Sequence, residues 1–435
     1  MKPVNVGLLG LGTVGGGTAA VLERNGKEIA RRAGREINIT VAATLDPDRA
    51  KELGLDIRTT DDAFTVVNDP EIDIVVELIG GYTLSKDLVL KAIENGKHVV
   101  TANKALIALH GNEIFAKAQE KGVMVAFEAA VAGGIPIIKS LREGLSANKI
   151  EWIAGIINGT GNFILTEMRD KGRDFDDVLA EAQALGYAES DPTFDVEGID
   201  AAHKLSILSA IAFGTPLQFE KTYTEGITKI TTQDVEYADE LGYTIKHLGI
   251  TRRTDKGIEQ RVHPTMIPKT RLLANVNGVM NAVLIYGDAV GPTLYYGAGA
   301  GDEPTASAVV ADIVDVVRAI TADPSNRVPH LAFQPDQLDD ISILDIKEIT
   351  SAYYLRLCAL DEPGVLASIT EIMGKSNISI EAFIQKEPKD KAENVDIILL
   401  TQRVTEGDMD NAIKQIEALD VTCSTVTRIR VENLK

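Results

Sequence analysis

Cysteine is nearly missing: Cys358 and Cys423 are the only two in 435 residues. Two thiols make neither a disulfide framework nor a cysteine metal cluster, and two buried, inert thiols are expected. No run of about 18 apolar residues is present to cross a membrane. The opening Met1-Lys2-Pro3-Val4-Asn5-Val6 lacks the long apolar stretch of a signal peptide. A cytoplasmic protein is expected. Positive charge is also in short supply. Lys and Arg number 44 against 64 Asp and Glu, a net charge of -20. That balance argues against a nucleic-acid partner and against an anionic membrane surface. What is present is ordinary globular material, 45% hydrophobic and 25% charged. The length suits two or three domains.

The start of the chain reads as a nucleotide site. Val4 to Leu9 has the pattern of a buried parallel strand, followed at once by Gly10-Leu11-Gly12-Thr13-Val14-Gly15 and a helical stretch. This is G-x-G-x-x-G in its expected context. Gly10 permits the tight turn, Gly12 lets backbone approach a pyrophosphate, and Gly15 lets helix and strand pack. The pyrophosphate then sits on the helix N-terminus, beside Thr13 and Val14. A second strand, Ile37 to Leu45, ends at Asp46. An acid there suits a ribose 2′-hydroxyl, and Thr44-Leu45-Asp46-Pro47-Asp48 offers no base before Arg49. NAD is therefore favoured over NADP; the plain alternative is that Asp46 only starts a turn. Later strands end at Gly80-Gly81 and at Thr101-Ala102-Asn103-Lys104. Lys104 thus falls at the carboxyl edge of the sheet, where such folds place ligands, unless it is a solvent lysine on a first helical turn.

Residues 182 to 204 carry the most chemistry. Glu189, Asp191, Asp195 and Asp200 precede Lys204. Asp200 and Lys204, four apart, share a face of a helix. That helix continues with Leu205, Ile207, Leu208 and Ile211, apolar nearly all round and hence buried. A carboxylate and an amine at its head suit a polar substrate and proton transfer, or else form a structural ion pair. Val123 to Glu128 reads as a further strand. Glu128, beside the glycine turn Val131-Ala132-Gly133-Gly134-Ile135, has oxygen ligands for a hard cation, although the residues alone favour an ordinary strand-to-helix turn. Asn158-Gly159-Thr160-Gly161 begins another helix, with amides and a hydroxyl that can take a carboxylate or aldehyde oxygen, or else is simply a capped helix start. Gly297-Ala298-Gly299-Ala300-Gly301 leads into an apolar helix over 305–322, expected to pack back on the first domain.

Residues 325–350 are turn-rich and read as a linker. Beyond them the pattern is strand, helix, two strands, helix, strand, a ferredoxin-like βαββαβ order. The expected architecture is α/β overall. A Rossmann-type parallel sheet spans 1–130, an α+β substrate and dimerisation domain 131–304, and the small module 351–435.

Together these segments resemble homoserine dehydrogenases. The resemblance rests on the 182–204 stretch with Ala182, Gly186, Asp191-Pro192, Asp195, Gly198, Asp200 and Lys204. Thr101-Ala102-Asn103-Lys104-Ala105, Asn158-Gly159-Thr160 with Asn162, and Gly297 to Gly301 add to it. It implies reversible NAD(P)-dependent reduction of L-aspartate 4-semialdehyde to L-homoserine, toward threonine, methionine and isoleucine. In that family's pattern Lys204 is the general acid with Asp200 beside it, and Lys104 lies between cofactor and substrate, where it can share the acid role. Glu189, Asp195, Gly159 and Thr160 line the substrate pocket, while Gly186 and Gly301 lie near the nicotinamide. Glu128 with the carbonyls of Val131, Gly133 and Ile135 would hold a sodium-type cation. Thr44-Leu45 departs from the family, many of whose members carry a base there, which again favours NAD. The tail resembles an ACT domain, with Asp361, Gly364, Val365, Leu366, Asn377 and Ile378 as an amino-acid effector site. Threonine is the expected inhibitor, with oligomerisation alone as the other reading. A homodimer through the middle domain, or a tetramer through the tail, is expected. The rival readings are another semialdehyde or oxo-acid dehydrogenase, and a catalytically silent nicotinamide sensor.

Overall fold

The computed structural model describes residues 2–46, 48–324, 327–386 and 394–435. Pro47 and the first two positions of the expected linker lie outside the described residues. No helix among the described residues is long and apolar enough to cross a membrane.

The first six strands form one parallel sheet: β1 Val4–Leu9, β2 Ile37–Ala43, β3 Arg58–Thr60, β4 Ile74–Glu77, β5 His98–Thr101 and β6 Val125–Ala126. Their order is β3-β2-β1-β4-β5-β6, which reverses direction beside β1, the topology that opens a ligand crevice at the carboxyl edge. β1 and β4 are apolar runs buried on both faces, as central parallel strands must be. The helix Thr13–Ala33 covers one face. The helix Asp302–Ala319, far along the chain, joins it there, with Val309, Ile313, Val316 and Val317 in the same core as Val6, Leu8 and Val76. The two helices meet at Gly17, where a Cβ would lie 2.9 Å from the Asp302 carbonyl oxygen.

The second sheet is mixed. It contains β7 Ile150–Ile156, β8 Tyr223–Thr224, β9 Tyr243–Arg253, β10 Ile258–Pro268, β11 Met280–Gly287 and β12 Gly291–Ala298. It continues without a break into the C-terminal module: β13 Thr350–Leu360, β14 Ile380–Gln385, β15 Asn394–Thr401, β16 Val404–Thr405 and β17 Thr427–Val431. The main path is β12-β11-β7-β9-β10-β17-β13-β15-β14, with β8 on β10 and β16 on β13. The joint is a short parallel pairing, Thr265 with Arg430 and Met266 with Val431. The module's own order, β17-β13-β15-β14, is that of the expected βαββαβ pattern. The tail thus extends the sheet of the middle region instead of hanging from it.

Sequence and structure part in three places. The stretch from Val123 was expected to stay extended through Glu128, but β6 ends at Ala126 and Glu128–Ala130 is a 3-10 turn. The Asp312 carboxylate accepts the Glu128 amide at 2.7 Å and turns the backbone there. The described part of the expected linker is pinned down: the Asp339 amide donates to the Gly214 carbonyl, and Ile258 donates its amide to the Ser342 carbonyl and accepts the Leu344 amide. Neither thiol is buried as expected. Cys423 is exposed and Cys358 half-buried, and the Cys423 amide donates to the Cys358 carbonyl at 2.9 Å.

Candidate active site

The glycine turn after β1 has the geometry of a pyrophosphate cradle. Gly10 has φ +102 and Gly15 packs so closely that a Cβ would lie 2.1 Å from the Gly10 carbonyl oxygen, while space beside Gly12 is open. The Thr13 and Val14 amides open the following helix. Asp46 follows β2 on the surface, its carboxylate accepting the Asp48 amide at 3.1 Å. Arg49 reaches the same turn, its Nε donating to the Leu11 carbonyl at 3.2 Å. These residues fit a dinucleotide.

Lys104 is placed by a chain of caps. Glu77, fully buried at the end of β4, accepts bonds from Thr101 Oγ1 at 2.7 Å and from Ser85. Thr101 accepts the Asn103 amide. Asn103 in turn caps the helix Lys104–Lys121 through the Leu106 amide. In the sequence, Glu77 has one signal, a carboxylate at the end of an otherwise apolar strand.

Opposite stands the helix Ile199–Phe213, in which every residue from Asp200 to Phe213 is buried. It starts at Gly198, whose φ of +82 only glycine adopts cheaply. Asp200 (4% exposed) and Lys204 (9% exposed) lie at its head. Asp200 Oδ2 meets Lys204 Nζ at 2.7 Å, and Oδ1 meets Lys104 Nζ at 2.6 Å. One carboxylate therefore bridges two ammonium groups drawn from different helices. Lys204 also donates to the Ile157 carbonyl at 2.8 Å.

Asn158 joins this network. Its side-chain amide donates to Asp195 at 2.7 Å and to Asp200 at 2.9 Å, and its oxygen caps the helix Gly159–Lys171 through the Gly161 amide at 2.8 Å. The sequence marked Asn158 within a polar turn but gave it no role. Thr160 Oγ1 donates to the Tyr187 carbonyl at 2.6 Å. Gly159 has no room for a side chain, a Cβ falling 2.8 Å from the Val279 carbonyl oxygen.

The charges shape one another. Asp200 is pulled up by burial, but the two lysines outweigh this and hold it well below the usual carboxylate range. Lys104 is raised, chiefly by the Asp200 charge, against the effect of burial. Lys204 is lowered, because burial outweighs Asp200 and Lys104 adds repulsion. Asp195 is raised by burial, partly offset by the bond from Asn158. Beside Asp200 sits His203, pushed down to about 4 by burial, hence neutral at pH 7.

The remaining candidates lie around this centre. Glu189 is exposed, its charge adding to the field on Lys104. Gly186 turns with φ +74 in an open bend. The loop ending at Gly301 folds against the turn at Gly133, where a Cβ would lie 2.5 Å from the Gly299 carbonyl oxygen. Glu128 is buried, its carboxylate accepting the Ile138 and Lys139 amides at 2.8 and 2.7 Å. Val131, Gly133 and Ile135 follow it through a turn that sets Ala132 at φ +56. In the C-terminal module Gly364 (φ +97) starts the helix Val365–Lys375, with Asp361 and Leu366 on either side. Asn377 (φ +56) ends that helix, and Ile378 behind it is buried with Val365.

Comparison with known proteins agrees with this arrangement. The family model for the homoserine dehydrogenase NAD-binding domain matches residues 10–128, that for homoserine dehydrogenase matches 136–314, and the ACT domain matches 353–421. A homoserine dehydrogenase of Pseudomonas aeruginosa is 68% identical over 434 residues, covering 100% of both chains. The crystal structure of a homoserine dehydrogenase from Thiobacillus denitrificans has 67% identity and a TM-score of 0.96, covering 100% of this chain and 99% of that one. A hyperthermophilic archaeal homoserine dehydrogenase in complex with NADPH aligns over 72% of this chain and 98% of its own, with 27% identity and a TM-score of 0.62. A dinucleotide cradle and an ACT tail thus coincide with whole-length similarity to the Pseudomonas and Thiobacillus proteins: the chain belongs to the homoserine dehydrogenase family.

Proposed function

We propose that this chain interconverts L-aspartate 4-semialdehyde and L-homoserine with NAD(P), using Lys204, Asp200 and Lys104. The observation that carries the assignment is the single carboxylate of Asp200 held between two ammonium groups at 2.6 and 2.7 Å. The nicotinamide, when bound, supplies or takes the hydride. Hydride arriving at the aldehyde carbon builds negative charge on its oxygen; an ammonium nearby stabilises that charge and delivers a proton. Lys204 serves as the general acid, since burial lowers its pKa and makes its proton easier to release. Lys104, with its raised pKa and half-exposed side chain, stays charged between cofactor and substrate. Glu189, Asp195, Gly159 and Thr160 line the pocket, the acids suiting the substrate ammonium.

NAD is the favoured cofactor, on the position of Asp46 after β2. Arg49, tied to the Leu11 carbonyl, supports NADP as the second reading, since it brings a cation to the same end. Glu128 and the turn through Val131, Gly133 and Ile135 hold a sodium-type ion. Buried Glu128 and Asp312 lie together, and burial and the Glu128 charge raise Asp312 well above the usual carboxylate range; a cation bound there would favour the charged carboxylates. The Gly364 turn binds an amino-acid effector, L-threonine, which inhibits the enzyme; the protein is a cytoplasmic homodimer or homotetramer on the route to threonine, methionine and isoleucine. Following cofactor reduction with L-homoserine, with NAD and NADP in parallel and with or without threonine, tests these points. Strong reduction inhibited by threonine is expected. No reduction of either cofactor by folded, cofactor-binding protein would refute the assignment.

A further inference from the structure

His247, buried on β9, lies under the starts of both helices that present the polar network. A Cβ on Gly198 would fall 2.9 Å from its Cε1 and 3.1 Å from its Nε2, and one on Gly161 would fall 3.6 Å from its Nδ1. Gly198 begins the helix of Asp200 and Lys204; the Gly161 amide closes the cap made by Asn158. The ring therefore sets the spacing between two helix starts whose side chains, Asn158 and Asp200, bond across at 2.9 Å.

The ring is held from the other side. Nε2 lies 2.9 Å from the Glu225 carbonyl oxygen, so Nε2 carries the hydrogen. Nδ1 has no partner among the described residues. The Glu225 carboxylate accepts from Arg430 at 2.8 Å and from the Tyr223 hydroxyl at 2.7 Å. Arg430 is fully buried on β17 of the C-terminal module and also binds Glu406. Two residues past Glu225, the Ile227 amide donates to Val196 at 2.8 Å, in the turn that carries Asp195. The segment from Tyr223 to Ile227 is thus clasped between Arg430 on one side and His247 and the Asp195 turn on the other.

We propose that His247 is a positioning residue for the Lys204–Asp200–Asn158 network, and that Glu225 links it to the C-terminal module through Arg430. The inference rests on the reading of Asp200 and Lys204 as the proton-handling pair. A shift of about 1 Å in one helix start relative to the other is enough to lower turnover by up to about a hundredfold. The arrangement gives the tail a contiguous physical route to the chemistry, made of packed and hydrogen-bonded groups.

Full-length variants test it, with Lys204→Ala as the control for the site itself. His247→Ala is expected to lower kcat by about tenfold to a hundredfold. KM for the cofactor should stay within about twofold, since the glycine turn is untouched. His247→Gln, which keeps a donor for the Glu225 carbonyl, should recover most of that loss. If His247→Ala does not fold, His247→Met, which keeps bulk and loses the donor, takes its place with the same expectation for kcat. Glu225→Ala leaves the carbonyl to His247 but releases Arg430; amide exchange over 193–204 should rise by about threefold or more. Unchanged kcat in the folded His247 variant, with Lys204→Ala inactive, overturns the positioning role and leaves the site reading intact. Unchanged exchange over 193–204 in Glu225→Ala overturns the link to the tail. An active Lys204→Ala overturns the site reading itself.

Discussion

Asp200 is the residue on which the chemistry turns, because among the described residues it alone touches both lysines and Asn158. Its removal has a signed consequence. In Asp200→Asn the carboxylate that raises Lys104 and opposes the burial of Lys204 is gone, so both lysines lose their protons at lower pH. Reduction of the semialdehyde needs Lys204 charged, and so falls as pH rises through its pKa; oxidation of homoserine needs it neutral, and so rises. Burial already places that pKa below the ordinary lysine value, and Asp200→Asn should move both limbs further down. Rate profiles against pH in the two directions check this; a limb moving up would contradict it. The Asp200–Lys204 pair was legible in the sequence, because a four-residue spacing on a helix fixes a shared face whatever the rest of the fold does. The Lys104–Asp200 contact was not, since it joins residues 96 positions apart on different helices. Nor was Glu77 legible, since its partners come from the ends of two other segments.

At the scale of elements, the site is made of helix starts. Asn103, Asn158 and Gly198 each begin a helix at the point where a functional side chain must appear. Caps of this kind leave a local signature, which is why the Asn158-Gly159-Thr160 turn and the Gly10 to Gly15 turn could be read from sequence. Gly198 is the most constrained of them. Gly198→Ala faces both a positive φ and the His247 ring, and should cost about 1–3 kcal/mol of stability. Thermal unfolding and kcat should fall together; a variant as stable and active as the parent would show that the helix start is not fixed as described. Gly17→Ala probes a different joint. Its Cβ would meet the Asp302 backbone, so overpacking should cost about 1–3 kcal/mol and loosen the helix Asp302–Ala319 from the first sheet. Denaturant midpoints measure it. The short 3-10 turn at Glu128 escaped the sequence because a distant carboxylate, Asp312, decides it.

For the whole molecule, the continuous second sheet matters most. The ferredoxin-like pattern of the tail was legible because each of its elements has a clear period and clear turns. Its docking was not: only two residue pairs of β10 and β17 make the joint, too few to mark either strand in sequence. Buried charge reinforces a joint whose apolar core is shared, Ile245 and Met266 packing with Tyr354, Ile429 and Val431. Arg430 lies between Glu406 and Glu225, and Arg261 between Glu259 and Glu432. Breaking such a cluster from one side leaves uncompensated charge, so Arg430→Met should destabilise the chain by about 3–5 kcal/mol, seen as a lower midpoint in urea; an unchanged midpoint would mean the joint rests on other contacts.

The chemistry depends above all on the Lys204 amine at the head of the buried helix. The deciding measurement is steady-state reduction of NAD and NADP by L-homoserine with wild-type and Lys204→Ala protein, alongside direct cofactor binding. The predicted result is robust turnover in the wild type and a loss of about a hundredfold to ten-thousandfold in the variant, with cofactor affinity preserved. Wild-type turnover in Lys204→Ala would contradict it.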